Sequence, residues 1–258
     1  MDILTHPGLD ASLLAYAFAV ALVAGLVKGV VGFAMPMVLI SGLSTVVPPE
    51  TALAWLILPT VVTNGWQALR QGALAAWASL RRFRVFLLVG LVFLLLSAQA
   101  VRLLPGTVML MIIGAPITLY ALASLLGRPP RLPSEPGPRL EAAVGVVAGF
   151  FGGISGVWGP PTVALLTAMD VEKREQMRVQ GVIYGLGALA LVVAHWGSGV
   201  LDRATAPVSA LLILPALLGL WAGFAIQDRI DQAAFRKLTL LVLLIAGLNL
   251  VRRGIAGL

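Results

Sequence analysis

The chain has 258 residues, 59% of them hydrophobic and only 11% charged, with a mean hydropathy of +0.99. A soluble domain carries about a quarter charged residues, so this composition excludes a water-solvated globular fold and makes the bilayer the solvent. No cysteine is present, which excludes disulfides, thiolate metal sites and thiol redox chemistry. The net charge of +7 sits in short loops between apolar runs and reads as membrane topology, not nucleic-acid binding.

The opening "MDILTHPGLD" has two acids and no Lys or Arg. It lacks the basic n-region of a cleaved signal, so the first apolar run is expected to be retained. Ten apolar runs follow, at about 11–28, 33–47, 52–69, 85–101, 107–126, 142–157, 160–169, 177–196, 204–226 and 234–251. About 20 helical residues cross the hydrocarbon, and the second and seventh runs are too short for that. Each short run follows a glycine motif: "GLVKGVVGFAMP" from Gly25 to Pro36 and "GFFGGISGVWGP" from Gly149 to Pro160. Three glycines and a proline recur in both at one offset of 124 residues. The pairs near 25–47 and 149–169 therefore read as interrupted helices. They either cross a thinned region or turn back as re-entrant hairpins, and periodicity does not separate these.

"GRPPRLPSEPGP", from Gly127 to Pro138, holds five prolines in twelve residues and suits a semi-rigid extended linker. It divides the chain into a first transmembrane repeat, 1–126, and a second, 139–258. Each holds five runs, an odd number, so the second enters the membrane from the opposite face. The expected fold is all-α: a polytopic membrane protein of two inverted repeats with about five helical segments each. With the N-terminus outside, thirteen of the eighteen basic residues fall in cytoplasmic loops around 70–84, 128–139, 173–178 and 229–237. An eight-span rival with the N-terminus inside puts ten inside and seven outside. The positive-inside rule favours the first: a multi-pass protein of the cell's inner (plasma) membrane with its Pro-rich linker in the cytoplasm.

Hydrocarbon tolerates a helix break only where protein or a water-filled cavity surrounds it. Glycine costs about 1 kcal/mol and proline about 3 kcal/mol relative to alanine in a helix interior, and each motif concentrates several such residues. In exchange, a break offers free amides and a positive helix N-terminus. Pro36 and Pro160 stand where a first helical turn begins. Two half-helices of this kind would cradle a small anion. The competing reading is small-residue helix packing, which Gly25-x-x-x-Gly29, Gly149-x-x-x-Gly153 and Gly219-x-x-x-Gly223 all fit.

The paired "G-x-x-x-G-x-x-G…P" openings, the stretch "PPETALAWLILPTVVTN" from Pro48 to Asn64 and the two-half design resemble the sulfite exporter TauE/SafE family of membrane permeases. The resemblance covers nearly the whole chain. It implies secondary transport, by a permease or exporter, of a small anion such as sulfite, a sulfonate or another sulfur-containing anion. The second half departs in part, lacking a match to Pro48-Pro49 and carrying "DVEKREQMR" instead.

The substrate-binding candidates are Lys28, Gly29, Gly32, Pro36 and Asn64 in the first half, and Gly153, Ser155, Gly156, Trp158, Pro160, Gln180 and Tyr184 in the second. Lys28 supplies a positive charge, or else snorkels to the interface. Asn64 and Gln67, and likewise Gln180 and Tyr184, share helix faces and offer donors to substrate oxygens, or else interhelical glue. Ser155 donates to an anion or satisfies a freed carbonyl, and Trp158 gates the cavity or fills it. No metalloprotease, nucleophile-elbow, cysteine-nucleophile or phosphate-loop motif occurs, so no enzyme activity, metal or cofactor is expected. Without a nucleotide motif, energy would come from a gradient, of a coupled proton or other ion, or from a partner ATPase. A small-anion channel is the alternative; a membrane-embedded enzyme or a scaffold subunit ranks after it. The sequence leaves the oligomeric state open. Valine at Gly32 or Gly156 is expected to abolish transport while leaving folded protein, and normal sulfite flux through the purified double variant would remove the cradle.

Overall fold

The computed structural model describes residues 10–99, 106–128, 137–155, 159–198 and 200–256. Every regular element among them is a helix. In chain order these are α1 (Ala11–Val31), α2 (Met35–Leu43), α3 (Pro49–Leu69), α4 (Ala73–Arg82), α5 (Arg84–Gln99), α6 (Gly106–Leu125), α7 (Pro138–Ser155), α8 (Gly159–Ala168), α9 (Lys173–Ser198), α10 (Ala206–Leu211), α11 (Ile213–Arg229) and α12 (Gln232–Ala256). Four stretches among the described residues are long and apolar enough to cross a membrane: Ala11–Val31, Lys173–Val193, Ala206–Arg229 and Gln232–Ala256. The third joins α10 and α11 across Leu212. The expected all-helical membrane fold is present.

The short runs are short helices. α2 has nine residues and α8 has ten, each following a long helix after a gap of three residues. The offset of 124 extends well beyond the glycines. α2 and α8 start at Met35 and Gly159, and α3 and α9 start at Pro49 and Lys173. One element departs from the hydropathy reading. The segment taken as a loop around 70–84 contains α4, an amphipathic helix too polar on one face to register as an apolar run.

Packing divides the chain into two compact units that draw on both sequence halves. One joins Met1–Arg70 with Gly181–Ile230, and the other joins Gln71–Gln180 with Asp231–Leu258. In the first unit α1 lies along α11; in the second α5 lies along α7 and α6 along α12. Each of these pairs takes one helix from each half of the sequence. The contacts are backbone to backbone. A Cβ on Gly25 would run into the Ala216 carbonyl, and one on Gly29 would come 2.7 Å from the Gly223 Cα. In the second unit Gly149 faces the Gly90 backbone, and a Cβ on Gly145 would come 2.9 Å from the Phe86 carbonyl oxygen. Gly25, Gly29, Gly219 and Gly223 therefore do serve helix packing, because only a hydrogen at Cα permits this approach.

Pro59 stands inside α3. Proline has no N–H, so the Trp55 carbonyl one turn earlier loses its helical donor, a defect worth about 3 kcal/mol in a helix interior. The hydroxyl of Ser209 on α10, fully buried, donates to that carbonyl at 3.0 Å and accepts from the Leu58 amide at 3.2 Å. A neighbouring helix thus repairs the ladder. Ser209→Ala is expected to lower stability by about 1–3 kcal/mol, and by less when Pro59→Ala restores the donor. Melting curves for the four proteins of this cycle decide the point: additive effects would remove the repair role.

Candidate functional site

The first break lies in one unit and is built from α1, α2 and α3. α1 ends at Gly32, whose backbone is left-handed (φ 87) and whose N–H donates 2.6 Å back to the Lys28 carbonyl. Glycine suits that turn because it has no Cβ to clash. Ala34, two residues on, is also left-handed (φ 73) and starts α2 with no side chain capping its first amides. Pro36 occupies the first turn of α2, where its missing N–H removes no helical bond.

α3 supplies the partners of this break from one face. Lys28, 1% exposed, donates its Nζ to the Asn64 side-chain oxygen, and Asn64 is buried as well. One turn further along α3, the Gln67 amide donates to the Gly32 carbonyl at 3.0 Å. Thr63 directs its hydroxyl to the Pro59 carbonyl at 2.7 Å and lies 3.4 Å from the Met35 sulfur at the start of α2. Residues 63, 64 and 67 therefore read both sides of the interruption. Nothing but the Asn64 oxygen accepts from the Lys28 ammonium among the described residues, and none of the ion pairs there includes it.

Lys28 is thus held inside the protein and does not snorkel. Gly32 and Pro36 form the break itself, and Asn64 holds the lysine. Gly29 turns its bare Cα toward α11, so its glycine identity is required by packing. Tyr184 is buried in the same unit, on α9. There α9 passes close to α3: a Cβ on Gly185 would lie 3.7 Å from the Asn64 Cβ, and Gly181 abuts the Gln67–Ala68 backbone. Sequence reasoning did not single out Thr63. Its signal was its place one residue before Asn64, but a threonine in an apolar helix more often bonds its own helix, as Thr60 does to Leu56.

In the second unit, Pro160 and Gln180 are buried. Gly153 and Ser155 belong to the last turns of α7. Gly156 and Trp158 lie outside the described residues. The position matching Lys28 at the offset of 124 is Gly152, and the one matching Asn64 is Ala188. The lysine–asparagine pair is not duplicated.

The left-handed Ala34 carries a steric cost of about 1–2 kcal/mol that glycine would not. Ala34→Gly is therefore expected to raise the thermal midpoint by an amount equivalent to roughly 1 kcal/mol, after the entropy glycine adds to the unfolded chain. Gly32→Ala should move the midpoint the other way. A lowered midpoint for Ala34→Gly would show that the conformation is not strained.

Neither the curated proteins nor the solved structures compared with this chain include a match. The family described as sulfite exporter TauE/SafE, by contrast, matches residues 17–250. That span takes in the broken α1–α2 pair with its buried lysine, the α7–α8 pair, and the long helices that follow each. On this match, the chain belongs to the sulfite exporter TauE/SafE family of membrane transporters.

Proposed function

We propose that this protein is a secondary transporter of a small anion, sulfite or a related organosulfonate, working by alternating access in the inner (plasma) membrane. The observation that carries the reading is Lys28: a buried lysine amine at a helix break whose partner is a neutral amide. A charged side chain in hydrocarbon costs about 2.5–3.5 kcal/mol on insertion scales. A neutral oxygen offsets only part of that, and a bound anion supplies the missing opposite charge.

In this reading Lys28 attracts the anion and Asn64 aims the ammonium. Because the Asn64 oxygen accepts from Lys28, its NH2 group remains a donor for an anion oxygen. The first amides of α2, which no side chain caps, add the positive end of a helix. Gly32 and Pro36 give the backbone room to present them, and Tyr184 contributes a hydroxyl donor. The second break, with Gly153, Ser155, Gly156, Trp158 and Pro160, and Gln180 on α9 would form an uncharged counterpart. A single charged half-site suits one small anion per cycle.

Several features support an inverted repeat beneath this mechanism. Exchanging the halves at the offset of 124 carries α1 onto α7, α2 onto α8, α3 onto α9 and α6 onto α12. It also turns the α1–α11 pairing into the α7–α5 pairing. Such an exchange is what alternating access requires of two structurally equivalent halves. The N-terminus would then lie outside and the Pro-rich linker in the cytoplasm. In this reading a proton or ion gradient drives the cycle.

Sulfite counterflow in proteoliposomes tests the site. Lys28→Met removes a charge-assisted interaction and should lower initial rates about ten- to a hundred-fold, with Lys28→Arg retaining more activity. Wild-type rates in folded Lys28→Met protein would overturn the reading. Ohmic, non-saturating currents would replace the carrier with a channel.

A further inference from the structure

Helix α4 plays no part in the site above, yet its surface is unusual. Ala76 and Ser79 on α4 and Phe83 just after it, spaced at helical intervals, are buried against the rest of the unit. Arg178 donates 2.7 Å to the Ser79 hydroxyl and pins this face down. The outward face carries Leu74, 87% exposed, and Trp77, 51% exposed, followed by Arg81. The Arg81 guanidinium lies over the Trp77 ring, 5.1 Å from its centroid. Together the bare leucine and half-exposed tryptophan make an apolar patch of the kind that marks a membrane contact. Tryptophan with arginine is the pairing expected at the headgroup boundary of a bilayer.

The next helix fixes the level. α5 starts at Arg84, and the positions that follow it on the same face, Leu88, Leu91, Val92 and Leu96, are all exposed apolar side chains. In a membrane protein that stripe faces acyl chains, so Arg84 stands where the stripe meets the headgroups. The cations here divide by partner. Arg82 pairs with Glu141 at 3.5 Å, whereas neither Arg81 nor Arg84 has an acidic partner among the described residues. Both are exposed. Two guanidiniums with no acidic partner among the described residues, beside an apolar wedge, match a lipid whose headgroup is negatively charged and whose tails are apolar.

We propose that α4 and the first turn of α5 form a binding surface for an anionic phospholipid. Arg81 and Arg84 take the headgroup phosphate, and Leu74 and Trp77 seat in the acyl boundary. The occupant is one class, a lipid with net negative charge. Guanidinium suits it because its planar fork of donors matches phosphate oxygens in two-point contact, and basic residues near an anionic leaflet each add favourable free energy.

Trp77 is the natural reporter. The full-length protein is reconstituted in phosphatidylcholine vesicles holding, as a minority component, either phosphatidylglycerol or phosphatidylcholine brominated near the headgroup end of the acyl chain. The quenching due to Trp77 is isolated by difference from Trp77→Phe. Brominated phosphatidylglycerol is expected to quench Trp77 more strongly than brominated phosphatidylcholine at equal mole fraction. The preference should fall roughly fivefold for each arginine removed in Arg81→Gln and Arg84→Gln. An exposed arginine elsewhere, Arg203→Gln, should leave it intact. Three results would each overturn the proposal: no Trp77 quenching by either lipid, as for a face covered by water or another protein; equal quenching by both lipids; or full preference retained in the double arginine variant.

Discussion

A helix that stops inside a hydrocarbon slab strands its last carbonyls and the next helix's first amides where water does not reach them. The arrangement around the first break answers that constraint. Gly32 turns left-handed and returns its N–H to Lys28, and Gln67 reaches across from α3 to take the Gly32 carbonyl. Lys28 brings its charge to the same place and finds Asn64 three residues before Gln67. Asn64 and Gln67 sit one turn apart, so a single face of α3 steadies the backbone and holds the cation. Structure and charge at this site cannot be separated.

The same rule recurs away from the break. Pro59 interrupts the α3 ladder, and Ser209 from α10 closes it. Between α8 and α9, Gln232 accepts from the Lys173 amide at 2.9 Å and donates to the Val171 carbonyl at 3.1 Å, holding a turn in which Asp170 is left-handed (φ 55). In each case a polar side chain from a helix distant in sequence satisfies backbone that its own segment cannot. These repairs tie the irregular backbone to rigid neighbours, so it keeps one shape while remaining free of regular hydrogen bonds at the break itself.

Glycine acts in two distinct ways along α1. At Gly25 and Gly29 it lets α11 approach to backbone contact; at Gly32 it permits a turn. The pairing of α1 with α11 and of α5 with α7 interleaves the two halves of the chain, so neither half packs as a body of its own. At the offset of 124 residues, Gly152 and Ala188 stand where Lys28 and Asn64 would be matched, so the two halves differ in charge at these positions.

Hydropathy and composition determined that the chain is helical and membrane-embedded. Glycine and proline spacing marked both interruptions, because several residues that weaken a helix are concentrated there within twelve positions. Amphipathic α4 escaped that reading: hydropathy averages over all faces of a helix, and only its packed neighbours reveal which face is buried. The sequence also marked Lys28 and Asn64 individually without joining them. Lys28 was equally consistent with a snorkelling side chain, and Gly29 with a site glycine as much as a packing one. Tertiary structure decided both, since a side chain's partner is set by which helix lies against it, and that is a property of three-dimensional packing between segments far apart in the chain. The sequence offered Lys28 as one of two readings; the packing of α3 gave it a buried place beside the Asn64 amide, with no carboxylate partner among the described residues.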